Sequence, residues 1–253
     1  MARVLSKLGI ASRTEAAEWI RAGRVSVAGR VVRDPERPTA ASGEEIRIDG
    51  GRLATARRVY RAFHKPSGVL TTRADPRGRP TVYDRLPGDG TWVFPVGRLD
   101  GPTTGLLLFT NDSAFSEIVT AGGVPKTYEA RVKGRMTDEA MEALRRGVSL
   151  DDGPTAPAEV EILSRTGSYT TLRLTIREGK NRQVRRMCRA VGHEVVKLVR
   201  VAIGPVGLGD LPEGAARELS PAEVQRILSS ARRRGQKSGS ARGRSKAREE
   251  RWT

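Results

Sequence analysis

Arg98 and Asp100 stand one residue apart in the stretch PVGRLDGPTTGLLLFTND (95–112). A carboxylate kept ionised by a neighbouring guanidinium can serve as a base or a nucleophile. Gly97 before the pair and Gly101-Pro102 after it are turn residues, and the Leu-rich run beyond them must be buried. An acid between a turn and a buried strand is held rigidly, as a reacting group must be. Two further segments can complete such a site. In VPKTYEARV, strand alternation puts Lys126 and Tyr128 on one face and Thr127 on the other. A strand tyrosine is ordinarily core, but beside a cation it can also stack on a nucleic-acid base. In REGKNRQVRRMCRAVGH, Arg182, Arg185, Arg186 and Arg189 recur at helical spacing. The helix RQVRRMCRAVG has no acid of its own, so phosphates or a buried carboxylate must offset its charge. An arginine of this helix paired with Asp100 would keep the acid ionised.

The elements that must position these groups fall into pieces. Residues 1–53 read as a small αβ module: two short helices broken near Gly9, with Ser12 capping the second and Glu15 in its first turn. A hairpin turning at Ala28-Gly29 and a strand around Ile46 and Ile48 come next. Arg3, Lys7, Arg13, Arg21, Arg24 and Arg30 crowd this module, which suits a grip on phosphates. LATARRVY, taken as a linker over 54–60, carries Arg57 and Arg58 and little that would pack. Residues 61–229 mix short strands with a few helices. The clearest helix is TDEAMEALRRG with Thr137 as its cap, and SPAEVQRIL has Pro221 at its first position. This pattern predicts an α+β domain rather than a run of βαβ units. Residues 230–253, dominated by Ser, Gly and Arg, are expected to be a disordered basic tail.

Lys plus Arg number 46 against 29 acids in 253 residues, a formal charge of +17. That surplus draws phosphate-rich partners whatever their kind. The single cysteine, Cys188, excludes an internal disulfide and suits a reducing compartment. With only His64 and His193 beside it, a structural zinc site is disfavoured, as is a Ser-His-Asp hydrolase. No stretch is apolar for long enough to span a bilayer or to form a secretory leader, so a cytoplasmic location is expected. A glycosidase would need a second acid across the sugar, and none is evident; Asp112 reads as a helix cap.

The blocks HKPSGVLTT (64–72), VGRLDGPTTGLLLFTND (96–112), KTYEARVKG (126–134), DGPTAPAEVEIL (152–163) and EGKNRQVRRMCRAVGHEVVKLVRVAIG (178–204) resemble, in this order, the bacterial ribosomal-RNA pseudouridine synthases that carry an N-terminal S4 domain. RVLSKLGIASRTEAAEWIRAGRVSVAGRVV (3–32) is similar to the S4 part. The resemblance covers about residues 2–228. It implies a small S4-like RNA-binding domain ahead of a catalytic domain on a mainly antiparallel sheet with flanking helices. It also implies isomerisation of uridine to pseudouridine without cofactor or metal. Asp100 resembles the essential aspartate, acting at C1′, by taking the C2′ proton, or at C6. Tyr128 resembles the tyrosine that packs on the target base, and Arg185 the basic partner of the aspartate. Arg98 resembles the arginine that holds the flipped nucleotide's place. Lys65, Lys126, Lys180, Arg182 and Arg186, with Arg3, Lys7, Arg13 and Arg24 of the first module, are the expected RNA contacts. The expected partner is ribosomal RNA or a ribosome-assembly intermediate, bound by a monomer, with a lean towards the large subunit. A non-catalytic rRNA-binding or assembly factor is the alternative. It would use the same charge but leaves Asp100, Tyr128 and Arg185 without a purpose. Ala28 departs from the pattern, since these S4 domains usually carry Asn there; so does Gly101-Pro102, in place of a more polar pair.

Overall fold

The computed structural model describes residues 1–39, 45–53, 56–88, 90–121 and 123–231. The expected tail lies outside them, except that residues 230 and 231 continue a helix over 221–231.

In the first module, helices Ala2–Lys7 and Arg13–Arg21 pack on a small sheet. Ser12 caps the second helix, its side chain accepting from the Glu15 N–H at 3.1 Å. The sheet runs Arg30–Val32, Val25–Val27, Ile46–Ile48 and Gly51–Arg52, all antiparallel. Leu5, Ala16, Ile20, Val25 and Val27 form a dry core between helices and sheet. The two-residue hairpin loop places both Ala28 (φ +48°) and Gly29 (φ +77°) in the left-handed region. A type I′ turn demands this, and alanine accepts it poorly.

The segment expected to be a bare linker is fixed at its C-terminal end. Val59 is buried, and Tyr60 already belongs to strand Tyr60–Lys65. The Arg58 guanidinium donates to the Lys7 carbonyl (3.1 Å) and to the Asn111 carbonyl (3.0 Å), bridging the two domains. Buried Asn111 uses its side chain to accept from the Val59 N–H and to donate to the Arg57 carbonyl.

The second domain is built on one large sheet. From one edge its strands are Glu159–Thr166, Tyr169–Ile176, Lys126–Lys133, Val195–Ile203, Thr104–Thr110, Tyr60–Lys65 and Ala216–Glu218. Neighbours in this series are antiparallel except Thr104–Thr110 and Val195–Ile203, which run parallel. Strict alternation divides the side chains. Phe63, Leu107, Phe109, Leu172 and Leu174 face one core, where the basic helix Gln183–Ala190 inserts Val184, Met187 and Cys188. Ala62, Leu106, Leu108 and Ile203 face another, closed by helix Ser113–Thr120 and by Val224 and Ile227 of the 221–231 helix. The α+β class and the mainly antiparallel sheet read from the sequence therefore hold.

One row across the sheet brings together residues from five strands. The pairings Lys65–Gly105, Gly105–Arg200, Arg200–Tyr128 and Tyr128–Leu174 line these residues up on the first face. Gly105 lies between two long cations. A Cβ on it would come within 2.3 Å of the Arg200 carbonyl oxygen, and its φ is +108°. Only glycine lets the two strands meet there.

The strain at Ala28 can be relieved by substitution. Ala28→Asn should stabilise the protein by about 0.5–1 kcal/mol, because Asn tolerates the left-handed region that Ala resists. Urea denaturation at equilibrium checks it, and an unchanged or lower midpoint would show that the turn is unstrained.

Candidate active site

Asp100 sits in the turn that enters strand Thr104–Thr110, at the mouth of a cavity of about 300 Å³. Tyr128, Lys126, Arg182, Arg98 and Arg200 line the same cavity. The structure brings Asp100, Tyr128 and Arg182 of the basic helix together around one cavity. Tyr128 stands on the sheet with its ring largely covered, and Lys126 lies on the same face nearer the rim. Burial and the nearby Arg200 charge push the Lys126 ammonium below its ordinary value. Arg98 is exposed at the rim and has no ion pair among the described residues.

The partner of Asp100 differs from the expected one. Arg182 Nη1 lies 3.8 Å from Asp100 Oδ2 and is the cation in ion-pair range. It caps the basic helix from the left-handed region, at φ +48°. Such a conformation in a non-glycine residue is strained and recurs at functional sites. Arg185, nearly one turn further on, points at the chain after the acid. It donates to the Val195 carbonyl at 3.0 Å and reaches the Pro102 carbonyl (3.4 Å) and Thr103 Oγ1 (3.5 Å). Its Nε is sealed from water without a partner. Burial and the Arg182 charge lower its affinity for the proton, while Asp100 works the other way. Helix spacing alone cannot separate these two arginines, because the αL cap re-aims Arg182.

Lys65, expected among the RNA contacts, is a correction. It is 0% exposed, and its ammonium donates to the carbonyls of Pro66 (2.7 Å), Gly101 (3.1 Å) and Thr103 (2.9 Å). All three N–H donors are used within the protein, two of them on the loop that carries Asp100. Burial lowers its pKa to about 8, with Asp100 opposing the shift. Lys65 and Arg185 thus clamp residues 101–103 from two sides.

Three other expected RNA contacts are also engaged within the protein. Lys180 Nζ donates to the carbonyls of Asp152, Gly153 and Pro154, and Arg186 makes a two-pronged contact with Asp152 at 2.9 Å for each nitrogen. Together they hold the hairpin Ser149–Leu150/Gly153–Pro154 against the start of the basic helix. Arg24 is paired with Asp49 (2.6 Å at closest) beside the Trp19 ring. Arg3, Lys7 and Arg13 are exposed and keep their side chains available.

Sequence reasoning misses Arg200. It is 3% exposed, its Nε donates to the Leu106 carbonyl at 2.7 Å, and its Cζ lies 6.0 Å from the Tyr128 ring centroid. Its Nη2 is buried with no hydrogen-bond partner. The signal is present in VVKLVRVAIG: Arg200 falls two residues after Leu198, on the apolar face of a strand. An unmatched buried donor costs about 1–3 kcal/mol, and more when charged. Cys188 is also buried, its thiol pushed up to about 12, and takes no part in the cavity.

Comparison with known proteins places the chain. Residues 59–190 match the model of RNA pseudouridylate synthases, and residues 2–46 match the S4 domain. The chain belongs to the RNA pseudouridylate synthase family. It is 41% identical to ribosomal large subunit pseudouridine synthase B of Bacillus subtilis (strain 168), over 89% of this chain and 93% of that one. It is 40% identical to the protein of the same name from Escherichia coli (strain K12), over 88% and 79% of the two chains. A crystal structure of a pseudouridylate synthase superposes with a TM-score of 0.65 at 30% identity, covering 89% of this chain and 97% of that one. The protein is therefore an S4-linked pseudouridine synthase, an isomerase, as the sequence resemblance implied. Among the described residues, no helix is long and apolar enough to cross a membrane.

The clamp and the ion pair should respond differently to substitution. Arg182→Gln should slow single turnover at least about tenfold, with stability changed by no more than about 0.5 kcal/mol, as for exposed side chains. Arg185→Gln should instead cost about 1–3 kcal/mol of stability, because buried loop acceptors lose their donor. Urea denaturation and single-turnover rates on both variants distinguish the two roles. For Lys65, the folded chain binds fewer protons than the unfolded chain between pH 8 and the ordinary lysine range, so stability does not fall as pH rises through 8. Deprotonation does remove one of the three donors. Activity should therefore decline above pH 8 while the melting temperature holds; a flat rate profile to about pH 9.5 would remove the clamp's catalytic importance.

Proposed function

We propose that this protein converts one uridine of large-subunit ribosomal RNA into pseudouridine, with Asp100 as the reacting carboxylate. The observation that carries this reading is the Asp100–Arg182 pair at the mouth of a cavity floored by Tyr128. The named function of the Bacillus subtilis and Escherichia coli relatives supports the large-subunit target.

The target base leaves its stack and enters the cavity, at a cost of a few kcal/mol. Arg98 at the rim is suited to fill the gap it leaves, and Tyr128 to support the base by stacking. The Asp100 carboxylate then attacks C1′ or takes the C2′ proton, and the C1′–N1 bond breaks. The uracil turns, and C1′ bonds to C5 as the Asp100–C1′ bond breaks or, in the second route, as the proton returns to C2′; the C5 proton is then lost and N1 takes one up. The product has the same atoms as the substrate, so the isomerase needs only positioned charges and a dry pocket. The clamp on residues 101–103 keeps the carboxylate in place while the base turns.

The first module supplies reach outside the pocket. Arg3, Lys7 and Arg13 are its available cations, suited to phosphates rather than base edges. The expected partner is rRNA or an assembly intermediate, met by a monomer in the cytoplasm.

Asp100→Asn is the decisive test, since the amide keeps the shape and loses the chemistry. Release of tritium from C5-labelled uridine in rRNA should vanish, while filter binding of the same RNA stays within about threefold, because a single rim hydrogen bond is worth little. Sustained tritium release by the variant would sink the assignment of Asp100.

A further inference from the structure

The cavity has a carboxylate at its mouth and an isolated cation in its floor. Asp100 is matched by Arg182, and Lys65 and Arg185 are used on loop carbonyls. Arg200 differs from all of them. It lines the cavity, is almost wholly buried, and faces no carboxylate within ion-pair distance among the described residues. Nε is satisfied by the Leu106 carbonyl, whereas Nη2 has no partner. Its guanidinium carbon is 6.0 Å from the ring of Tyr128, its neighbour across the sheet. The row keeps it there: the absent side chain of Gly105 admits the Arg200 backbone, so the residue cannot withdraw without parting two strands.

A buried, unmatched positive charge is unfavourable in the empty protein and becomes favourable when a negative charge arrives. Resting on the proposed reaction, the only new negative charge deep in the cavity is on the base. Breaking C1′–N1 leaves its electron pair on the uracil, spread over N1, O2 and O4, while the sugar keeps the electron deficit at C1′ and is met by Asp100. We propose that Arg200 is the counter-charge for the detached uracil anion, stabilising it from bond breaking until C1′ bonds to C5. Lys126, on the same face nearer the rim, is a second cation lining the cavity. A base held by charge rather than by a fixed set of hydrogen bonds is free to turn, as the exchange of N1 for C5 requires. Because Arg200 is withdrawn from water, solvent weakens the attraction less than it would at the surface.

The test exploits the leaving ability of the base. Fluorine at C5 withdraws electrons and stabilises the anion by itself, so a missing counter-charge should matter less. Arg200→Met and the charge-retaining Arg200→Lys are compared with wild type in single turnover on two RNAs, one with uridine and one with 5-fluorouridine at the target. Nuclease digestion and chromatography track disappearance of the N-glycoside. Thermal melting and filter binding report fold and affinity. Arg200→Met should slow uridine about 100-fold with RNA affinity unchanged. On 5-fluorouridine its deficit should be about tenfold smaller. Arg200→Lys should fall between the two proteins. If Arg200→Met does not fold, the same ratio measured on Arg200→Lys decides. Equal deficits on both RNAs, or a loss confined to affinity, would overturn the role of Arg200 and leave the proposed reaction standing. A wild-type protein that consumes neither nucleoside would overturn the reaction itself and this inference with it.

Discussion

The ammonium of Lys65 is the contact on which the site depends. It is withdrawn from water, where a charge is costly, and it is retained because three main-chain oxygens receive its three hydrogens. Two of those oxygens belong to the loop just after Asp100. The loop closes on itself through the Thr103 N–H and the Asp100 carbonyl at 3.0 Å, and a side chain of the neighbouring strand fixes it from below. Arg185 adds a second anchor from the basic helix. The Asp100 carboxylate can then sit in a turn and still have a fixed position.

Around that anchor the sheet sorts charges by depth. The row Lys65, Gly105, Arg200 and Tyr128 gives successive strands different duties: hold the loop, permit close approach, place a buried cation, support a flat ring. The basic helix covers the same face and brings Arg182 to the carboxylate through a strained cap. At the far side of that helix, Lys180 and Arg186 bind a hairpin instead of a ligand. Several cations of the catalytic domain that read as RNA contacts are therefore internal structure, whereas Arg98 and, on the first module, Arg3, Lys7 and Arg13 are exposed.

The architecture is legible in the sequence because its elements are locally consistent: capped helices, alternating strands and glycine-marked turns. Asp100 and Tyr128 are legible through their spacing and context. The arginines are harder. Arg182 and Arg185 differ by less than one helical turn, and which one meets the acid is decided by a backbone conformation that residue type does not announce. Lys65 reads as a surface cation because a buried lysine is uncommon and its partners are main-chain oxygens, which leave no pattern in sequence. Arg200 is hidden in an apolar strand, where only its parity with Leu198 marks it as inward-facing. The linker before the second domain misleads for a related reason, since Arg58 reads as a free charge until its acceptors, both backbone carbonyls, are known.

The parallel pairing of Thr104–Thr110 with Val195–Ile203 bears on how the enzyme comes into being. Gly105 and Arg200 meet across it although they lie about 95 positions apart in the chain. Closing so long a loop is slow, and during synthesis it must wait until the later strand has left the ribosome. The outer strands Lys126–Lys133, Glu159–Thr166 and Tyr169–Ile176 form a group that can assemble earlier from shorter-range contacts. Until the Arg200 strand slides between its two neighbours, Tyr128 and Asp100 belong to separate pieces. The first module is thus complete long before the two sides of the cavity meet.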